Sequence, residues 1–321
     1  MLKRMSLRKI SVASLTLLIL LLLYFIPTNK EEDINPMQEL KYEYDNNKTV
    51  IYLLDSSDYV ARTLIKSCAC DDVIKKATDL INGMIIDGTK SSIIPNGFRL
   101  IIPSGTEIRN INYENNILTV DFSKEILEIS EKYEEKMIEA ITYTLINIDG
   151  VDKVVLKVEG KAFDKLPHSG KKLPTYLDQS YGINKVYDLS STREIDSYTI
   201  YYVNNYNDTN YYVPVTKYIN NDKQDKVKVI IEELSSAPIY ESNLMSFLNV
   251  NTKLLNYEVK DKSIILNFND MILNDIMDNN ILEEVVYTIS LSLNDLYDLD
   301  EVIFSVNNQE ICKTVLKNLD K

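Results

Sequence analysis

Proton transfer near neutral pH needs a side chain that titrates there, and the 321-residue chain has a single histidine, His168. It sits between Pro167 and Ser169 without a repeated counterpart and without a nucleophile and base around it in sequence, so it reads as a loop histidine. Asp121 and Ser123 are the next candidates, because they follow a strand-like run and precede a turn. A serine nucleophile needs a nearby base, and His168 is far away in sequence. Aspartate followed by serine is also an ordinary way to open a helix, which makes capping the expected role. The pairs Asp71-Asp72 and Glu232-Glu233 have the composition for acid–base work, yet helix polarity and a solvated face explain them. Cys68 and Cys70 are separated by one residue, a spacing that strains a disulfide, and neither has a histidine or further thiolate near enough for zinc. They read as small residues leading into a helix, with Cys312 as an odd third thiol. Eight glycines leave little room for a phosphate-cradling loop. The expectation is a chain with no catalytic, cofactor-binding or metal-binding residues, and no enzyme.

The elements that would have to position any such group occur twice. Residues 105–127 and 251–273 align without a gap, and each shows two alternating runs split by a polar cluster, Glu114-Asn115-Asn116 and Lys260-Asp261-Lys262. That is the pattern of a β-hairpin with one buried face, carried by Leu118, Val120 and Phe122 in one copy and Ile264, Leu266 and Phe268 in the other. Around the first hairpin the pattern predicts strands at residues 49–54 and 59–65 and a helix bearing Val73, Ala77, Leu80 and Ile81. After it come a helix bearing Met137, Ile138, Ile141 and Leu145 and a closing strand at residues 154–158. The order β-β-α-β-β-α-β then repeats from Tyr198, with Ile281, Val285, Val286, Ile289 and Leu293 on the second long helix. Ile311, Val315, Leu316 and Leu319 are spaced for a short extra helix at the end.

The fold class expected is therefore α/β (α+β), two tandem copies of one small domain. Residues 1–27 read as an N-terminal membrane anchor, 28–48 as a tether, 49–160 as the first domain, 161–196 as an irregular tail and linker, and 197–321 as the second domain. The anchor rests on the apolar run 10–26, at the short end of the ~17 to 25 residues that span a bilayer. Lys3, Arg4, Arg8 and Lys9 precede it, which keeps the start inside and sends the rest outward. Phe25, Ile26 and Pro27 offer no small-residue cleavage site, so an uncleaved anchor is expected over a signal peptide. The linker, with Pro167, Gly170, Pro174 and Gly182, is expected to be the most exposed connection between two separately folded halves.

The formal net charge is -13, and four of the 35 basic residues fall in that leading segment, so the remainder is more acidic still. Such a surface repels phosphate backbones and excludes nucleic acid as a partner. The 22 tyrosines with no tryptophan suit half-buried strands, and would suit a glycan face only if several clustered in the open.

At these residues the sequence resembles the GerM domain of spore-forming Gram-positive bacteria. The resemblance rests on residues 102–106 (Ile-Pro-Ser-Gly-Thr), 120–123 (Val-Asp-Phe-Ser), Thr144-Leu145, Gly150-Val151 with Val154, and Gly160. It extends through the tail, residues 166–170 (Leu-Pro-His-Ser-Gly) and 182–184 (Gly-Ile-Asn). The second copy departs from it, with Asn251, Asn267 and Asn269 in place of Gly105, Asp121 and Ser123. The resemblance implies an envelope protein of sporulation and germination, a scaffold without cofactor or catalytic residues that places protein assemblies between mother cell and forespore. Envelope or sporulation proteins are then the expected partners, with the membrane held through the N-terminal helix and peptidoglycan a further candidate. A peptidoglycan or glycan-binding module is the alternative function.

Overall fold

The computed structural model describes residues 38–41, 48–67, 70–88, 94–220, 225–236, 242–275 and 279–316. The expected anchor at residues 10–26 lies outside them, and no helix among the described residues is long and apolar enough to cross a membrane. Most of the expected tether also lies outside; within it, Gln38–Lys41 forms strand β1 and Lys48 opens the next strand.

The first repeat runs β2 (Lys48–Asp55), β3 (Val60–Lys66), α1 (Val73–Asn82), β4 (Phe98–Arg99), β5 (Ile108–Glu114), β6 (Ile117–Phe122), α2 (Glu134–Ile146), β7 (Lys153–Val158) and β8 (Lys161–Ala162). Strand β9 (Val186–Asp188) lies in the tail. The second repeat runs β10 (Ile195–Tyr206), β11 (Thr209–Asn220), α3 (Lys226–Ser235), β12 (Leu254–Lys260), β13 (Ser263–Phe268), α4 (Glu283–Tyr297), β14 (Glu301–Val306) and β15 (Gln309–Val315). This is the mixed α+β fold expected, with one strand more at the end of each copy.

Turn chemistry sets the hairpins. Asn115 and Asn116, Asn207 and Asp208, and Asn307 and Asn308 all have positive φ and join β5–β6, β10–β11 and β14–β15. Two consecutive left-handed residues make a turn whose twist matches right-twisted strands, and asparagine and aspartate tolerate that conformation best after glycine. In each repeat the hairpin then pairs in parallel with the strand beyond the long helix, β6 with β7 and β13 with β14.

Both long helices are covered on more than one side, which is why they carry no clean polar face. Every residue of α4 from Val285 to Leu293 is buried, and α2 is buried from Met137 to Leu145. Helix α2 packs on β2 and β7, and α4 packs on β10 and β15. Phe122, Tyr143 and Tyr52 fill the first core, while Phe268 and Phe304 stack in the second. Each such side chain contributes about 1.5–3 kcal/mol of burial.

The two copies are not separate bodies. Their first hairpins join edge to edge in one sheet, ordered β10-β11-β3-β2-β4, where Tyr212 of β11 pairs antiparallel with Arg62 of β3. Equivalent strands meeting antiparallel relate the two hairpins by an approximate two-fold. Ala61 of β3 packs into the second repeat's core. The described residues from Glu39 to Leu316 accordingly form one compact unit.

Three expectations are corrected here. Residues 161–196 are not a free link between separate halves: Phe163, Leu166, Leu173, Leu177 and Ile183 are buried and β9 pairs in parallel with β11, while residues 187–195 are exposed as expected. Lack of periodicity hid this, because isolated apolar side chains plug gaps that regular elements leave. The chain end among the described residues is a strand, not a helix. The Asn307-Asn308 turn folds β15 back on β14, and Cys312, Thr314 and Leu316 are buried at period two. Cys70, expected as a plain small residue, is disulfide-bonded.

Candidate functional site

The polar side chains of the molecule converge where β3 and β11 meet. Asp55 ends β2 and is fully buried. Its Oδ1 accepts from the backbone N–H of Ser57 and Tyr59, at 2.8 Å each, which closes the β2–β3 turn. Its Oδ2 reaches into the other repeat, accepting from Asn204 Nδ2 at 2.8 Å and from the Tyr211 hydroxyl at 2.9 Å. A buried carboxylate is tolerable only when its lone pairs are met, and four donors do so. Burial and the neighbouring Asp55 push the Tyr211 hydroxyl's pKa up.

Beside it, Tyr52 and Tyr201 share a hydrogen bond of 3.0 Å between their hydroxyls. Each is also held by its backbone N–H, Tyr52 to Thr144 Oγ1 of α2 and Tyr201 to Ser292 Oγ of α4. Burial raises the hydroxyl pKa well above the ordinary range for Tyr201 and for Tyr143, which packs edge-on against Tyr52.

Asn184 pins the two strands from the tail. Its Oδ1 accepts from Val60 N at 2.9 Å, and its Nδ2 donates to Val60 O at 2.8 Å and to Pro214 O at 2.7 Å. Its own N–H donates to Glu139 Oε2 at 3.0 Å. Asn184 has φ 46°, a left-handed conformation that asparagine accepts readily. Ile183 exchanges backbone and side-chain bonds with Thr216 of β11. Glu139 is buried, which pushes its pKa up, and Lys185 faces it at 3.3 Å.

The sequence candidates turn out to be structural bonds. Backbone N–H groups of His168 and Ser169 donate to the two oxygens of Glu134, at 2.9 and 3.0 Å, and the imidazole Nε2 lies 2.6 Å from Ile129 O. Burial would raise the Glu134 pKa, but the bonds from Ser169 and His168 outweigh it and hold it low. His168 therefore fastens the tail, a role its loop setting in the sequence did not suggest. Asp121 Oδ1 accepts from Gly160 N, and Ser123 Oγ accepts from Glu107 N rather than capping the turn that follows it. In the second copy Asn267 accepts from Asn308 N and Asn269 accepts from Lys253 N. The substitutions thus keep both bonds, since an amide oxygen accepts as a carboxylate or hydroxyl does. Asp72 caps α1 through Lys75 N, and Glu233 pairs with Lys217 of β11. Among the described residues there is no cluster of ligating side chains for a metal ion.

What this arrangement does chemically is hold backbone to backbone across two repeats joined as one sheet. The family model described as sporulation and spore germination, Germane, matches residues 23–164 and 199–312. The chain belongs to the Germane family. The spore germination protein GerM of Bacillus subtilis (strain 168) is 31% identical to this Germane protein over 267 residues, covering 81% of this chain and 71% of the relative. The solved tandem GerMN domains of the sporulation protein GerM from Bacillus subtilis match it with a TM-score of 0.75 at 28% identity, over 83% of this chain and 93% of that one. This Germane protein has a role in sporulation and spore germination, and its tandem architecture is that of its relative.

Sequence reasoning missed Asp55, Asn184, Asn204 and Tyr211 as one site. They lie on four segments, and no spacing links them. Signals for two of them were nonetheless present, since Asn184 ends the family-like tail and Asp55 breaks an apolar strand.

Proposed function

We propose that this protein is a non-enzymatic scaffold outside the membrane, positioning envelope protein assemblies in sporulation and spore germination. The observation that carries the reading is the seam: Asp55, Asn184, Tyr52 and Tyr201 are all committed to hydrogen bonds that weld two repeats into one body. A welded pair presents two related surfaces at a fixed spacing, which raises the effective concentration of whatever each one binds. The chemistry of a scaffold asks for nothing more. Envelope or sporulation proteins are the proposed partners, and residues 10–26 the proposed membrane anchor, with both repeats on the outer side. Crosslinking of the membrane form in sporulating cells should capture a protein partner reproducibly. The scaffold reading fails if none is captured while the purified protein binds or cuts isolated cell wall. Protease added to intact protoplasts should digest the repeats, and protection of them would refute the anchored topology.

One observation favours glycan binding as the second reading. Tyr187 on β9 is 60% exposed and stacks on Tyr218 of β11, ring centroids 4.8 Å apart, so its outer face is a rigid platform for a sugar ring. Replacing Tyr187 with Ala should abolish sedimentation with purified peptidoglycan if that reading holds, and leave no wall binding to lose if it does not.

A further inference from the structure

A carboxyl group that plays no part in the seam's bonding lies beside it. Asp295 is in the last turn of α4, where the helix dipole already disfavours negative charge. Its Oδ2 is completely buried and has no hydrogen-bond partner among the described residues. The side chain borders a cavity of about 150 Å³ that also meets Gln179, Ser197, Thr199, Thr216 and Ser292. Those residues come from the tail, β10, β11 and α4, so the cavity lies where tail and second repeat are clamped against each other.

From the tail the Gln179 side chain, and from β3 the Arg62 guanidinium, favour the charged form of Asp295. From α2 and β10 come the hydroxyls of Tyr143 and Tyr201, both of which the charge on Asp295 would drive further from ionising. Tyr143 in turn donates to Gln179 O at 3.0 Å, and Tyr201 bonds Tyr52. Ile230 of α3 completes the wall without a charge. Burial outweighs Gln179 and Arg62 and pushes the Asp295 pKa up to about 7.

We infer that Asp295 is a proton-operated latch: as a neutral acid it lets tail and second repeat close around the cavity, and on losing its proton to solvent it draws water in and loosens them. No bond other than the carboxyl O–H breaks, and the proton passes to water. The sign follows from linkage. A carboxyl with a raised folded-state pKa gives the folded protein more bound protons than the unfolded chain between the unfolded value near 4 and the folded value near 7. Stability therefore falls as the pH rises through that window and stays low above it.

Denaturant unfolding of the full chain at pH 6 and pH 8 tests this against Asp295→Asn, which keeps the shape and removes the proton. The folding constant of the wild type should drop about tenfold more over that interval than that of the variant. Amide exchange at Tyr201 and Gly182, whose N–H groups donate to Ser292 Oγ and Gln179 O in the cavity wall, should quicken at pH 8 beyond the intrinsic rate in the wild type and not in the variant. Equal pH dependence in the two proteins overturns the inference. Should Asp295→Asn fail to fold, carbon-13 NMR of the wild-type carboxyl decides: a midpoint near 7 upholds the latch, and one near 4 overturns it.

Discussion

Tyr52 and Tyr201 occupy the same position in the two repeats, and their hydroxyls lie 3.0 Å apart across the middle of the shared sheet. Two copies of one residue can bond each other in this way only near a two-fold axis, so the contact makes the duplication itself part of the architecture. Removing either hydroxyl, Tyr52→Phe or Tyr201→Phe, is expected to cost about 1 kcal/mol, the usual net value of a buried hydrogen bond. Denaturant unfolding of both variants and the double variant should show the second substitution adding little to the first, because the bond is already gone. Additive losses would count against the bond.

Asn184 supplies three hydrogen bonds that no other described residue replaces at Val60 and Pro214. Asn184→Ala leaves those backbone groups buried and unpaired, and is expected to cost about 3 kcal/mol. Asn184→Gly accepts the left-handed backbone equally well, so it separates the side-chain loss from strain. Equal stability of wild type and Asn184→Gly in urea would show that the pin does not hold the seam.

Asp55→Ala strands the Asn204 amide and the Tyr211 hydroxyl, as well as two backbone donors. A loss of about 3–5 kcal/mol is expected, as for breaking a buried charged network from one side. Limited proteolysis should then cut between the repeats, within residues 163–183. The wild type should resist there, since Phe163, Leu166, Leu173, Leu177 and Ile183 anchor that stretch. Equal cleavage of wild type and variant within residues 163–183 would count against Asp55 as the tie between the repeats.

The two copies predict each other's tolerance. Asp121→Asn and Ser123→Asn import the second copy's residues, which make the same backbone bonds, and each should change stability by less than about 0.5 kcal/mol. Ser123→Ala loses the bond to Glu107 N and should cost about 1 kcal/mol. Thermal unfolding of the three variants checks the ranking, which fails if Asn at either position is as damaging as Ala.

Glu134 gives a pH dependence of the opposite sign to Asp295. Its folded-state pKa is lowered, so its stabilising effect is present above the ordinary carboxylate value and is lost as the pH falls through the folded one. Acidification below about pH 4 should therefore speed amide exchange at His168 and Ser169 before the sheet opens. Glu134→Gln should abolish that acid step; if the step persists, another group controls the tail.

The sequence by itself determined the local pieces. Period-two alternation at Leu118, Val120 and Phe122 and the left-handed Asn115-Asn116 pair specify a hairpin wherever they occur, and their recurrence at Ile264, Leu266 and Phe268 specifies the duplication. Asp72 as a cap and the apolar stripe of Met137, Ile138 and Ile141 are likewise local signals. Only the tertiary structure decided how the copies meet. β3 pairs with β11 from the other repeat, the Tyr52–Tyr201 bond joins residues 149 positions apart, and the Asn184 pin joins residues 124 and 30 positions apart. The same limit explains β15, whose spacing fitted a helix until β14 offered a strand to pair with. Periodicity reports which face of an element is buried, and says nothing of the neighbour that buries it; that choice is made by shape and hydrogen bonding between segments the chain brings together last.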